Sequence, residues 1–442
     1  MLEMLVIADD LSGAADCGIA CAGHGLTTMV VLGDELSNPQ SDSGTHVLSI
    51  DADTRSLPPA QAAARTANLL NRYLGNQQPM LFKKLDSMLR GNIAHEIAAC
   101  LEASRAISTD TDRIVAVLAP AFPAYGRTTV KGRQHLHGKP LEETGHWQNE
   151  RVLARSHLPE ILREANLRSA LLHLDLIRSG LASLQQAMIN LAQNADVLVC
   201  DAETDQDLRA IADASVALGR GTLWAGSAGL AYHLPPAAGL ARASAVSEHR
   251  PLANGPTLFV IGSHSATSRQ QAEILAQSTD AIALEIPPAV LLAGEASADW
   301  PRYASALKEA LTEGREAIVS IGTDPEVDPK NGPRLSAALA QMARPLAEKV
   351  GALVATGGET ARAVLNAWGV TRLRLIREVE TGLPYAITEG WRRQLPVLTK
   401  AGSFGSPQTL LACQRFLCEL DRNPAAAIDP AATMNRGKAV RS

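Results

Sequence analysis

A chain of 442 residues is too long for one ordinary hydrophobic core, and at about 150 residues per domain it predicts two or three. Apolar residues make up 46% but aromatics only 3%, which favours helices packed on parallel strands over an aromatic-rich sandwich. The net charge of −5, without a basic stripe or interleaved aromatics, argues against nucleic acid as a partner, and no apolar run approaches the ~20 residues of a membrane span.

The amino terminus has no basic leader and reads straight into a strand, so the cytosol is the expected location. In chain order, strands are expected at Met4–Ala8, Thr28–Leu32, His46–Ile50, Met80–Lys83, Ile114–Ala119, Leu171–Leu174 and Val197–Cys200. Helical periodicity falls between them at Gly13–Ala22, Pro59–Leu74, Ile93–Ser104, Leu158–Ala165, Leu181–Ala192 and Gln206–Leu218. Apolar runs bounded by turns and separated by helices indicate a parallel sheet covered on both faces. A Pro/Gly/Ala/Ser stretch breaks the pattern between 234 and 256 and reads as a linker. Strands are expected again at Leu258–Gly262, Ala281–Ile286, Ala317–Ile321, Ala352–Ala355, Leu373–Val379 and Val397–Thr399. The reading is therefore α/β: domains at 1–233 and 257–421, each a mostly parallel sheet with helices on both faces, and the active site in the cleft between them. Residues 422–442 read as a flexible tail.

Six cysteines are scattered without a Cys-x-x-Cys pair and read as small core residues. His95-Glu96 opens like a zinc helix, but Ala99 stands where the closing histidine should be. His135 and His137 read as ordinary polar side chains, and the metal ligands stay unassigned.

Chemistry concentrates where strands run into polar turns. Asp9 and Asp10 end the first strand, with Ser12 placed to cap the next helix; such paired acids suit Mg²⁺, substrate hydroxyls or a general base. Asp51-Ala52-Asp53-Thr54-Arg55 presents a guanidinium fork suited to a carboxylate. Lys83-Lys84-Leu85-Asp86-Ser87 with Arg90 brings two lysines to an apolar strand end, where they require an anion. Pro120–Thr129 is a turn-rich loop that could cover the site. In the second half, Gly262-Ser263-His264-Ser265, Thr356-Gly357-Gly358-Glu359-Thr360 and Lys400-Ala401-Gly402-Ser403-Phe404-Gly405 each join a strand to a helix. Glycines there let backbone approach a ligand, and helix N-termini attract phosphate. Neither the Walker A pattern, the dinucleotide fingerprint nor the protein-kinase set occurs.

Taken together and in order, Ile7–Asp16, Lys84–Asn92, Pro120–Pro123 and the three glycine turns resemble the four-carbon acid sugar kinase family over nearly the whole chain. The resemblance implies an acid-sugar-binding domain followed by an ATP-binding domain, and phosphorylation of D-threonate, D-erythronate or a 3-oxo-tetronate. It implies substrate binding by Asp9, Asp10, Arg55, Lys83, Lys84, Leu85, Asp86 and Arg90, with Asp10 or Asp86 acting on the reacting hydroxyl. ATP would meet Ser263, Ser265, Gly357, Gly358, Glu359, Thr360, Lys400 and Gly402, with Mg²⁺ bridging the phosphates. The chain departs from the family at Ala401-Gly402-Ser403, where serine–glycine–glycine is common, at Ser406-Pro407-Gln408, and at Ser268 in place of threonine. The expected partners are a small sugar acid and ATP, with homo-oligomerisation left open. A dehydrogenase is disfavoured by the missing fingerprint, and a non-catalytic acid-sugar sensor by the retained acids and lysines.

Overall fold

In the computed structural model, Met4–Ala8 (β1) is entirely buried, and its side chains part to two faces as the pleat requires. Leu5 and Ile7 join one core cluster and Met4 and Val6 another, so helices must cover the sheet on both sides. Residues 2–33, 44–74, 78–107, 114–144, 156–219, 221–243, 255–263, 265–324 and 326–422 are described. They divide into two units, Met1–Ser244 and Ala245–Ser442.

The first unit continues with α1 (Leu11–Ala22), β2 (Thr28–Leu32), β3 (Val47–Asp51), α2 (Pro59–Leu74), β4 (Met80–Lys84), α3 (Ile93–Ile107) and β5 (Ala116–Ala119). A small antiparallel sheet follows, β6 (Arg127–Val130), β7 (Arg133–Leu136) and β8 (Lys139–Pro140). Then come α4 (Leu158–Arg163), β9 (Ser169–Leu172), α5 (Leu174–Ile177), α6 (Leu181–Ala192), β10 (Val197–Cys200), α7 (Asp205–Ser215), β11 (Leu223–Gly226), α8 (Ala228–Ala231) and α9 (Leu234–Ala237). The main sheet runs β2-β3-β1-β4-β11-β5-β10-β9, with every pairing parallel. From β1 the chain moves first to β2 and β3 on one side, then to β4 on the other. That reversal opens a crevice at the carboxyl ends of β1, β3 and β4, the usual ligand position in such sheets.

The second unit holds β12 (Thr257–Ile261), α10 (Ala266–Ser278), β13 (Ile282–Ile286), α11 (Pro288–Ala293), α12 (Trp300–Thr312), β14 (Ala317–Ile321), α13 (Gly332–Ala343) and β15 (Ala352–Thr356). It ends with α14 (Gly358–Ala367), β16 (Arg372–Glu380), β17 (Leu383–Thr388), β18 (Pro396–Lys400) and α15 (Thr409–Arg422). Its strands run β13-β14-β12-β15-β18-β17-β16, parallel as far as β18 and antiparallel beyond. Here too the chain reverses direction about β12, beside β15.

Expected strands appear with their ends shifted by a residue or two, but three elements differ. β11 is inserted between β4 and β5, although Ala225 and Gly226 give its segment little intrinsic preference for a strand. β17 carries Pro384, which weakens a strand signal, and is held by pairing with β16 and β18. The loop at 120–129 leads into the β6–β7 hairpin, whose Thr129 bridges Ala202 and whose Arg133 bridges His157. The start of the expected linker packs on the first unit instead: Leu234–Ala237 is helical, and the Arg242 amide donates to the His24 carbonyl. Residues 244–254 of that linker and 423–442 of the expected tail lie outside the described residues.

Gly226 ties β11 to the crevice, because its carbonyl accepts from the Leu85 amide at the start of the turn after β4. A Cβ there would lie 2.3 Å from the Ala119 carbonyl oxygen. Gly226→Ala is expected to destabilise the fold by about 1–3 kcal/mol, the usual cost of overpacking. Chemical denaturation checks this, with an unchanged midpoint as the contrary result.

Candidate active site

Strand alternation separates the two lysines that end β4. Lys83 follows Leu81 toward the layer of α2 and α3, where it is wholly buried and pairs with Glu96 of α3 at 3.2 Å. Thr54 and Thr66 both donate to the same Glu96 oxygen. Lys83 thus lies in a buried ion pair on the side opposite α1, although its Nζ completes no hydrogen bond there. Lys84 points toward α1. Its Nζ donates to the Leu85 carbonyl at 2.9 Å, and a Cβ on Gly13 would lie 2.9 Å from that Nζ. Burial works against the ammonium, but Cys17, Asp9, Asp16 and Asp10 together hold its pKa above the ordinary value.

Asp10, not Ser12, caps α1: its Oδ1 accepts from the Gly13 amide at 2.8 Å. Its Oδ2 accepts from Arg55 Nη1 at 2.5 Å. Arg55 also grips Asp9 in a fork, Nε to Oδ2 at 2.7 Å and Nη2 to Oδ1 at 3.0 Å. Asp9 is 2% exposed. Burial alone would push its carboxyl up; the Arg55 charge and hydrogen bonds, with Lys83 and Lys84, hold it below the ordinary carboxylate value. Of the five N–H groups on the Arg55 guanidinium, these bonds use three, leaving two to meet a ligand.

Asp86 is likewise held ionised. Arg90 Nε donates to its Oδ2 at 2.5 Å and the Arg90 amide to the same oxygen at 3.2 Å, so Arg90, Arg55 and Arg127 outweigh burial and drive the pKa far down. Leu85 is buried in the core and offers only backbone to a ligand. The turn is tightly bent: Leu89 has φ 59° and Gly91 φ 88°, and a Cβ on Gly91 would lie 3.4 Å from Asp9 Oδ2. Backbone strain of this kind collects at ligand sites.

The hairpin supplies contacts that the sequence did not assign to particular side chains. Arg127 Nη1 donates to Ser87 Oγ at 2.6 Å, and Gln134 Nε2 donates to the Ser87 carbonyl at 3.0 Å. Asp201 in turn accepts from the Lys131 and Gly132 amides, each at 2.7 Å. The signal available was Arg127 and Thr129 lying between the turn glycines Gly126 and Gly132; what it could not show was the partner.

In the second unit, the turns after β12, β15 and β18 meet at adjacent strand ends. Ser265 caps α10 and its Oγ donates to the Gly402 carbonyl at 2.9 Å, as does Ser268 Oγ at 2.6 Å. Ser263 Oγ donates to Ser265 Oγ at 3.1 Å. Gly357, at φ 92°, caps α14, which begins at Gly358, and its amide donates to the Lys400 carbonyl. Thr360 is buried against Ser336, 2.9 Å between hydroxyl oxygens, so it shapes the turn from beneath. Glu359 stands in the first turn of α14, its carboxyl raised by burial. Lys400 is 2% exposed, and its Nζ donates to the carbonyls of Ala401, Gly402 and Phe404. An ammonium has three N–H groups, and all three are spent. His264 lies outside the described residues.

Residues 4–234 match the family model of a sugar-binding N-terminal domain, and residues 258–410 that of a nucleotide-binding C-terminal domain. The chain is 41% identical to a D-threonate kinase of Cupriavidus necator, over 96% of this chain and all of that one. It is 30% identical to a D-threonate kinase of Salmonella typhimurium, covering 95% and 99%, and 25% identical to a D-erythronate kinase of Heliobacterium modesticaldum, covering 94% and 97%. Among solved structures, a Salmonella typhimurium protein superposes with TM-score 0.77 at 23% identity, covering 94% of this chain and 100% of the other. That likeness speaks for the fold.

The two β4 lysines are expected to behave as opposites. Removing one partner of a buried ion pair typically costs about 3–5 kcal/mol, so Lys83→Met should lower the melting temperature sharply. Lys84→Met should leave the fold standing and raise the KM for the acid. Thermal melts and steady-state kinetics of both variants check the division; equal melting temperatures would reverse it.

Proposed function

The chain belongs to the four-carbon acid sugar kinase family, and on that premise we propose that it transfers the γ-phosphoryl group of ATP to the terminal hydroxyl of D-threonate, giving 4-phospho-D-threonate. The observation that carries the reading is the shared guanidinium of Arg55 between Asp9 and Asp10, beside the Lys84 ammonium. It presents both signs of charge to one small molecule. Lys84, with the remaining N–H groups of Arg55 and with Arg90 and Arg127, supplies the positive side for a carboxylate. Lys83, paired with Glu96, is left out of that set. Asp10 is the most exposed of the three acids, at 18% of its side chain against 2% for Asp9 and 9% for Asp86, and would orient the reacting hydroxyl.

Phosphoryl transfer asks for positioning and charge stabilisation more than for a strong base. Asp9 and Asp86, held ionised by guanidinium groups, are weak bases and fit the role of fixing Arg55 and Arg90. The new bond is between the substrate oxygen and the γ-phosphorus; the bond broken is the β–γ bridge, and the hydroxyl proton departs through Asp10 or to water. In the second unit, amides of the glycine turns and the N-termini of α10 and α14 suit phosphate oxygens. Mg²⁺ would come with the nucleotide, since among the described residues no group of three or more His, Cys, Asp or Glu side chains is set to hold a metal ion. Magnesium in such reactions is commonly bound by one or two carboxylates and the phosphates themselves. Among the described residues no helix is long and apolar enough to cross a membrane, and both partners proposed are small molecules.

Asn retains the capping ability of Asp. Asp10→Asn is therefore expected to keep its melting temperature and ATP affinity while kcat falls by on the order of a hundredfold or more, the range for a positioned acid–base group. Wild-type turnover of D-threonate should exceed that of the matching polyol, threitol, by on the order of a hundredfold in kcat/KM, because the polyol leaves buried cations poorly paired. A kinetic panel of D-threonate, D-erythronate, a 3-oxo-tetronate and threitol checks this; comparable rates with threitol would remove the acid from the assignment.

A further inference from the structure

The turn after β18 is held largely through its carbonyl oxygens; within it the Phe404 amide donates to the Ala401 carbonyl and the Ser406 amide to Thr409 Oγ1. Lys400 Nζ lies 2.9 Å from the Ala401 oxygen, 3.1 Å from that of Gly402 and 3.0 Å from that of Phe404. Ser265 and Ser268 donate to the same Gly402 oxygen, and Gln271 Nε2 donates to the Phe404 oxygen at 3.1 Å and to that of Ser406 at 2.7 Å. In a planar trans peptide the N–H points opposite to the C=O. Carbonyls of residues 401, 402 and 404 drawn inward therefore send the N–H groups of Gly402, Ser403 and Gly405 outward. Successive amides facing one way make an anion-binding concavity. Gly402 has no room for a side chain, since a Cβ would lie 2.2 Å from Ser263 Oγ.

We propose that Lys400 is a positioning residue for the nucleotide: it touches no phosphate, and it sets ATP affinity by holding the carbonyls of 401, 402 and 404 inward so that the opposite N–H groups face the phosphates. The proposal rests on the nucleotide-binding reading of the second unit. It differs from a phosphate-binding lysine because no donor of Nζ is left over. It also has a consequence in pH. Burial pulls the ammonium from an ordinary 10.5 to about 8. The groups facing it are few. α15 brings Cys413, whose thiol burial pushes far up; Glu380 of β16 acts on Cys413 and accepts from Thr409; α10 brings only the neutral Ser265, Ser268 and Gln271. Above about 8 the amine keeps two N–H groups for three carbonyls. The turn then loses one charge-assisted donor, and Ser265, Ser268, Gln271 and the Phe404 amide alone hold the carbonyl that Nζ releases.

The sign of the stability effect separates this from a merely structural role. The folded pKa of Lys400 lies below its unfolded value, so between the two the unfolded chain holds more protons. This group's contribution to stability then rises with pH. Nucleotide affinity should fall over the same window.

Calorimetric titration of the intact protein with a non-hydrolysable ATP analogue, at pH 7 and pH 9, tests the proposal. Wild type is expected to lose affinity several-fold at the higher pH. Lys400→Met should bind on the order of tenfold or more weakly at pH 7, as for loss of a charge-assisted hydrogen-bond set, and show no further step at pH 9. Taking the difference between the two proteins cancels the ionisation of the nucleotide. Ser268→Ala, which removes one donor to the Gly402 oxygen, should weaken binding less and keep the step. D-threonate affinity should be unchanged in both variants. Equal affinity of Lys400→Met and wild type at pH 7, or a wild type without a pH step, overturns the clamp. A wild type that binds no nucleotide at either pH overturns the nucleotide reading and the clamp with it.

Discussion

Asp9 sits almost out of reach of water at the end of a fully buried strand, where a lone carboxylate would take up a proton rather than stay charged. Arg55 keeps it ionised by gripping both of its oxygens, and the same guanidinium reaches Asp10. Because Asp10 also caps α1, the fork fixes the helix start, the loop after β3 and the end of β1 relative to one another. The turn after β4 closes over that pair through Gly91, whose φ of 88° favours glycine and whose Cα hydrogen faces Asp9 and Arg55. The site of the first unit is thus an electrostatic construction: remove the fork and a buried charge is left without its partner, a large penalty in a medium of low polarity.

The second unit solves a different problem with the same kind of sheet. A phosphate chain carries its own negative charge and needs donors more than it needs side-chain ions. Its three turns accordingly offer glycines and backbone amides, and the polar side chains around them (Ser263, Ser265, Ser268, Gln271) bond one another or the carbonyls of the turn. Both sets of turns lie where the strand order reverses, so the connections leaving adjacent strand ends diverge there and leave a crevice.

Much of this was legible in the sequence because motif and strand end coincide. Asp9-Asp10, Arg55 and Lys84–Arg90 each follow an apolar run, and the parallel pairing of β3, β1 and β4 brings them together. What could not be read was direction. Lys83 and Lys84 are neighbours of the same chemistry, and only the pairing of β4 between β1 and β11, with helices on both faces, decides which is buried against Glu96. The capping residue was misassigned for a similar reason: Asp10 and Ser12 are both good caps, and the choice follows from Arg55 holding Asp10 at the helix start. β11 was hidden because its strand character comes from its neighbours, and the hairpin because its contacts to Ser87 and Asp201 span 40 and 69 residues of chain.

Lys84 and Lys400 bring these points to one comparison. Each is the last residue of its strand, and each turns its Nζ back to the carbonyl of the following residue at 2.9 Å. Their surroundings drive them apart. Lys84 lies among Cys17, Asp9, Asp16 and Asp10, which together outweigh burial and hold its pKa above the ordinary value. Lys400 lies among neutral hydroxyls and amides with a buried thiol, so burial prevails and its proton is held only up to about pH 8. One geometry therefore yields a fixed charge in the unit that must attract an acid. In the unit that must shape a loop around a phosphate chain, it yields a brace with every donor turned inward.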